Sequence, residues 1–239
     1  MRQYFGDVLA LDGVDLSVPR HGRLAVVGPS GGGKSTLLAL VAGLLEPSRG
    51  SVRVGGERDP HDRLARCALM PQKDLLLPWR SALDNACLAL ENQGLRRAAA
   101  RSRARPLFER FGLAEFARSR PDQLSGGMRQ RVAFLRTLLA GKEVLLLDEP
   151  FGALDSITRA QMQEWLAGAL AVQPRTAMLV THDVEEALLL ADLVVVLSAR
   201  PGRVLHQLEP GLERDGPRRE VISGGQFVKA KQEILEALE

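Results

Sequence analysis

The chain has 239 residues, with 32 lysines and arginines against 29 acids (net +3), 45% hydrophobic and 26% charged residues. That balance excludes a disordered or polyelectrolyte protein, and the mild charge gives no reason by itself to invoke nucleic acid. The longest apolar run, Ala187 to Leu197, is interrupted by Asp192 and falls short of the roughly 18–20 residues of a membrane span.

No apolar signal core opens the chain, so a cytoplasmic location is expected. Cys67 and Cys87 lack metal-ligand spacing and read as buried free thiols. The first twenty residues alternate apolar and polar at Val8–Leu11 and Val14–Val18, which predicts edge strands of an antiparallel sheet. Tyr4 and Phe5 serve either core packing or stacking on a nucleotide base. Leu24–Val27 then reads as a buried strand, followed by Gly28, Pro29, Ser30, Gly31, Gly32, Gly33, Lys34, Ser35 and Thr36. This run fits G-x-x-x-x-G-K-[S/T], and an apolar helix to Gly43 follows it. Strand, glycine loop and helix together aim backbone N–H groups at a triphosphate. Lys34 is placed for the β- and γ-phosphates, and Ser35 for Mg²⁺.

Two further strands are predicted at Ser51–Val54 and Cys67–Met70, with Gln72 just beyond the second, where ligands bind in α/β folds. From Asp74 to Leu139 the pattern turns helical: Ser81 caps a helix through Leu90, and an arginine-rich helix spans about Leu95 to Phe111. The arginines of 96–105 read as a solvated face, with nucleic-acid contact as the rival. Ser125, Gly126 and Gly127 open another helix, making a second anion-binding N-terminus.

Val144–Leu147 is a buried strand ending in Asp148 and Glu149. Beside a phosphate loop, Asp148 is expected to hold Mg²⁺ and Glu149 to polarise the attacking water. A loop ending at Asp155 leads into a helix over 157–170. Thr176–Val180 forms a strand that presents His182 on the same sheet edge, within reach of a γ-phosphate. A helix at 184–190, a strand at 193–197 and a polar tail with one helix, about 225–238, complete the chain.

In order, these segments resemble the nucleotide-binding subunit of an ABC transporter over residues 1 to about 208. The resemblance makes Phe5 (or Tyr4) the adenine-stacking ring, residues 28–36 the Walker A loop and Gln72 a Q-loop residue touching Mg²⁺ or water. It makes Leu124–Gly127 the signature, 144–149 Walker B, 153–155 the D-loop and His182 the H-loop residue. It implies an α/β P-loop fold: a mixed-sheet core with a β subdomain (1–73 and 142–208), a helical subdomain (74–141) and a tail (209–239). It further implies ATP-driven head-to-tail dimerisation, in which each Ser125–Gly127 loop meets the other copy's nucleotide and Glu149, His182 and Lys34 serve hydrolysis.

Leu75–Arg80, Leu124–Arg131, Phe151–Asp155 and Ala199–Arg203 are similar to the nitrate, sulfonate and taurine importers, a group with relatives for thiamine pyrimidine precursors. Two residues depart from that group: Met128 replaces a frequent glutamine, and Gly32 a frequent cysteine. The implied partners are permease subunits, a periplasmic or extracellular solute-binding protein and a second copy, at the inner face of the membrane. Trp79 suits the permease interface or the core. The rival from another class is a soluble ABC ATPase acting on nucleic acid or the ribosome.

Overall fold

The computed structural model describes residues 1–214 and 216–239. β1 (Gln3–Phe5) and β2 (Val8–Leu11) form a two-stranded antiparallel hairpin. β3 (Arg23–Val27) then enters the main sheet and ends in the glycine loop. α1 (Lys34–Ala42) starts at Gly33, whose φ of 83° is a left-handed conformation open to glycine. A Cβ there would meet Leu11 Cδ2 at 2.6 Å, so the loop closes against β2 only because no side chain intervenes.

α2 (Pro60–Arg66) precedes β4 (Cys67–Met70). α3 (Ala82–Asn92), α4 (Arg97–Arg110) and α5 (Gly126–Leu139) follow as a helical block. β5 (Val144–Asp148), α6 (Ser156–Val172), β6 (Thr176–Val180), α7 (Val184–Leu190) and β7 (Leu193–Leu197) complete the alternating core. β8 (Val204–Leu208), α8 (Arg218–Ser223) and α9 (Gly225–Leu238) close the chain.

The six-stranded sheet runs β4-β5-β6-β3-β7-β8, all parallel except β8, which pairs antiparallel with β7. Its central strands are apolar throughout because both faces are covered. Ala25, Leu145, Leu147, Ala177, Leu179, Val194 and Val196 point into the core shared with α3, α5, α6 and α9. Their neighbours Leu24, Val26, Leu146, Met178, Val180 and Val195 point into a second core against α1. Parallel pairing puts the ends of β3, β4, β5 and β6 on one edge: Val26 and Asp148 both stand opposite Val180.

Two expectations change. Val14–Val18 and Ser51–Val54 are not paired strands, although their side chains alternate between buried and exposed as a strand's would. Their backbones make isolated contacts instead, such as Val14 with Met1 and Val54 with Glu57. The alternation fixes which side chains face inward and is silent on whether a neighbouring strand is present. The polar segment after 208 carries the expected helix as α9, and Phe227, Ala230 and Ile234 of that helix are buried in the main core. Residues 96–105 form the solvated face expected of them, with Arg96, Arg97, Arg103 and Arg105 exposed, and two of its arginines also donate to the buried carboxylate of Asp84, Arg97 Nη2 and Arg101 Nε at 2.5 and 2.7 Å. Trp79, left open by the sequence, is 70% exposed.

Candidate active site

Glu149 follows β5 with φ 47°, a left-handed conformation costing a non-glycine residue on the order of 1–3 kcal/mol. It persists because the turn is held on several sides. The Glu149 N–H donates to Val180 O at 2.8 Å, and its own carbonyl accepts from Gly152 N–H at 3.2 Å. At the carboxylate, Gln72 Nε2 donates to Oε2 at 3.0 Å, while His182 Nδ1 stands 3.6 Å from Oε1. Three of the sequence-selected residues, from the ends of β4, β5 and β6, therefore converge on one point. His182 is mostly exposed and open to an incoming ligand.

The glycine loop adjoins them. The Lys34 ammonium is buried and donates to the carbonyls of Gly28 and Pro29, both at 2.8 Å, so the loop folds around its own cation. Burial pulls its pKa below the ordinary lysine value, and the charges of Glu149 and Asp148 oppose that shift. Burial likewise raises the Asp148 carboxyl, with the Ser35 side chain opposing. An anionic site with a hydroxyl beside a desolvated carboxyl suits a hard cation that takes its remaining ligands from phosphate and water. Among the described residues no cluster of three His, Cys, Asp or Glu side chains could hold a metal by itself. Ser30, Gly31, Gly32, Ser35 and Thr36 complete the loop. A Cβ at Gly32 would lie 2.6 Å from the backbone Ser198 O, so any side chain there would force this loop to shift.

Ser125 caps α5 by accepting from Met128 N–H at 3.2 Å, leaving Gly126 and Gly127 at the helix start. Asp155 caps α6 in the same way, accepting from Thr158 N–H at 3.0 Å, which holds its carboxyl below the usual range. Phe5 and Tyr4 are both exposed on β1.

Gln130, in the second turn of α5, enters the sequence reading only within the importer-like run 124–131 and is given no role there. It is buried and donates through Nε2 to the carbonyls of Glu149 at 3.2 Å and Pro150 at 3.1 Å. Its position four residues after Gly126 put it one helical turn from the signature, a signal that was visible and left unassigned.

The family described as ABC transporter matches residues 11–152, from β2 through the Walker B turn. The chain belongs to the ABC transporter ATPase family. A taurine import ATP-binding protein of Rhizobium johnstonii is 42% identical over 239 residues, covering 97% of this chain and 90% of that one. An aliphatic sulfonates import ATP-binding protein of Mesorhizobium japonicum is 47% identical over 215 residues, covering 90% and 78%. A solved dimeric ATP-binding cassette in a post-hydrolysis state with ADP and Pi superposes with a TM-score of 0.76 at 28% identity, covering 86% and 95%. This ABC ATPase thus combines an α/β P-loop core with a mixed sheet, an antiparallel strand pair and helices. No helix among the described residues is long and apolar enough to cross a membrane.

Proposed function

We propose that this ABC ATPase energises import of a small solute of the taurine, sulfonate, nitrate or thiamine-pyrimidine class, using the residues converging on Glu149. The carrying observation is Glu149 itself, presented in a strained turn with Gln72 on one carboxylate oxygen and His182 beside the other. A carboxylate so held is placed to take the proton from an attacking water, and His182 to hydrogen-bond the γ-phosphate. Lys34 exchanges the Gly28 and Pro29 carbonyls for β- and γ-phosphate oxygens, and the N–H groups of residues 31–36 take the rest. Phe5 or Tyr4 stacks on adenine. Ser35, Asp148 and Gln72 would hold Mg²⁺, whose chemistry is to neutralise phosphate charge.

Ser125, Gly126 and Gly127 form a second phosphate-binding helix end in a chain that has one P-loop. In our reading each meets the nucleotide of a second copy, with Asp155 at the same junction, and ATP closes the dimer by mass action. The exposed Trp79, in the turn after Gln72, is the anchor for a permease subunit, so the cassette sits peripherally on the inner face of the membrane. A periplasmic or extracellular solute-binding protein supplies the solute to that permease.

Two experiments test this. Glu149→Gln should bind ATP normally, lose turnover by about 10²-fold or more and accumulate as an ATP-bound dimer on size-exclusion chromatography; parent-rate hydrolysis would reject Glu149 as the base. A strain lacking this chain should lose uptake of one solute of the class, restored by the parent and not by Lys34→Ala. Unchanged uptake, with hydrolysis stimulated by nucleic acid instead, would overturn the importer reading.

A further inference from the structure

We propose that Gln130 is a positioning residue for hydrolysis: by tying the carbonyls of Glu149 and Pro150 to α5, it makes the aim of the general base depend on the helix that carries the signature. The proposal rests on the reading of Glu149 as general base.

Glu149 holds a backbone conformation that a glutamate would leave if released. Its N–H is anchored to β6 and its carboxylate to Gln72, both on the sheet side. From the helical block, the hydrogen bonds that reach this turn come from the Gln130 amide, which bridges two successive carbonyls at 3.2 and 3.1 Å. Both acceptors are backbone oxygens with little access to water; Glu149 O keeps the Gly152 N–H at 3.2 Å, but loss of the Gln130 donor removes the turn's tie to α5.

Other side chains fix the same helix, three of them toward its start and the loop after Gln72. Ser125 caps its start. Arg129 Nε meets Asp74 Oδ2 at 3.0 Å, and Arg136 donates to the carbonyls of Leu75 and Asp74 at 2.8 and 2.6 Å. α5 therefore grips the loop after Gln72, in which Trp79 is exposed, and through Gln130 it grips the turn of the base. A small rotation of α5, driven from the signature end or from the Trp79 loop, is transmitted to the Glu149 backbone through this amide. Misplacement of a reacting group by about 1 Å can cost on the order of 10²-fold in rate.

The test is a double-mutant cycle. Gln130→Met keeps the side chain's length and removes the donor. We expect kcat for ATP hydrolysis to fall about 10- to 100-fold with KM for ATP within twofold of the parent. In single-turnover assays on the Glu149→Gln background, Gln130→Met should cause no further loss, because its effect passes through Glu149. If circular dichroism shows Gln130→Met unfolded, Gln130→Asn takes its place: it keeps the polar group but shortens its reach by one methylene. A folded variant with parent kcat overturns the proposal while leaving the general-base reading intact. An equal loss in both backgrounds, or a rise in KM matching the fall in kcat, also overturns it. If Glu149→Gln itself turns over at the parent rate, it is the general-base reading that fails, and the positioning role falls with it.

Discussion

Glu186 shows how far a single carboxyl can be pushed by its surroundings. It lies on α7, three residues after the Asp183 cap, with one oxygen accepting from Gln163 Nε2 at 3.3 Å. Burial first, and the neighbouring Asp183 second, raise its pKa to about 8. Between the unfolded value, about 4.3, and the folded one, only the unfolded state releases the proton. Stability therefore declines as pH rises through that window and levels off above it. Glu186→Gln removes this dependence: thermal melts should show the variant gaining several degrees on the parent at pH 8 relative to pH 5. At this scale the site was legible where a motif fixes the spacing. Lys34, Asp148, Glu149 and His182 follow from strand ends and a glycine loop, whereas Gln130 and Glu186 act through buried partners distant in sequence, which local pattern does not encode.

Between elements, α3 and α4 are clamped by Asp84. Its carboxylate is buried, while Arg97 and Arg101 keep exposed stems and donate in parallel pairs. The Arg101 hydrogen bond, with Arg97 and Ser81, holds the Asp84 carboxyl well below the usual range. The contribution is thus present at neutral pH and is lost as acid protonates the folded state. Removing the acceptor frees two arginines into water, but removing both arginines strands a buried charge. The double variant Arg97→Ala/Arg101→Ala should therefore lower the melting temperature more than Asp84→Asn does, by several degrees near neutral pH. Helices were the legible elements here, because Ser81, Ser125 and Asp155 announce their starts with side-chain caps. α2 carried the same announcement, Asp59 before Pro60, in a stretch between the two expected strands to which the sequence reading assigned no element. Val14–Val18 misled differently, since burial alternates there without a partner strand to supply hydrogen bonds.

Across the whole molecule, the sheet depends on what comes after it. β8 pairs with β7, and α9 lays Phe227 and Ile234 into the core formed by α5, α6 and α7. Lys231 adds an ion pair to Glu185 at 2.7 Å. Phe227→Ala should cost about 3–5 kcal/mol in denaturant unfolding, where a solvated tail would show no change. The parallel core was legible because its strands are apolar on both faces, but the role of the last thirty or so residues was hidden by their polar composition. Stability and turnover also meet at the left-handed turn of Glu149, where they pull apart. Glycine there would relieve the backbone at no steric cost and remove the carboxylate that the proposed mechanism uses as base. A population of variants sorted by heat alone should drift toward glycine at 149, and one sorted by turnover should hold glutamate. In a lineage of such chains, this position records which of the two pressures prevailed.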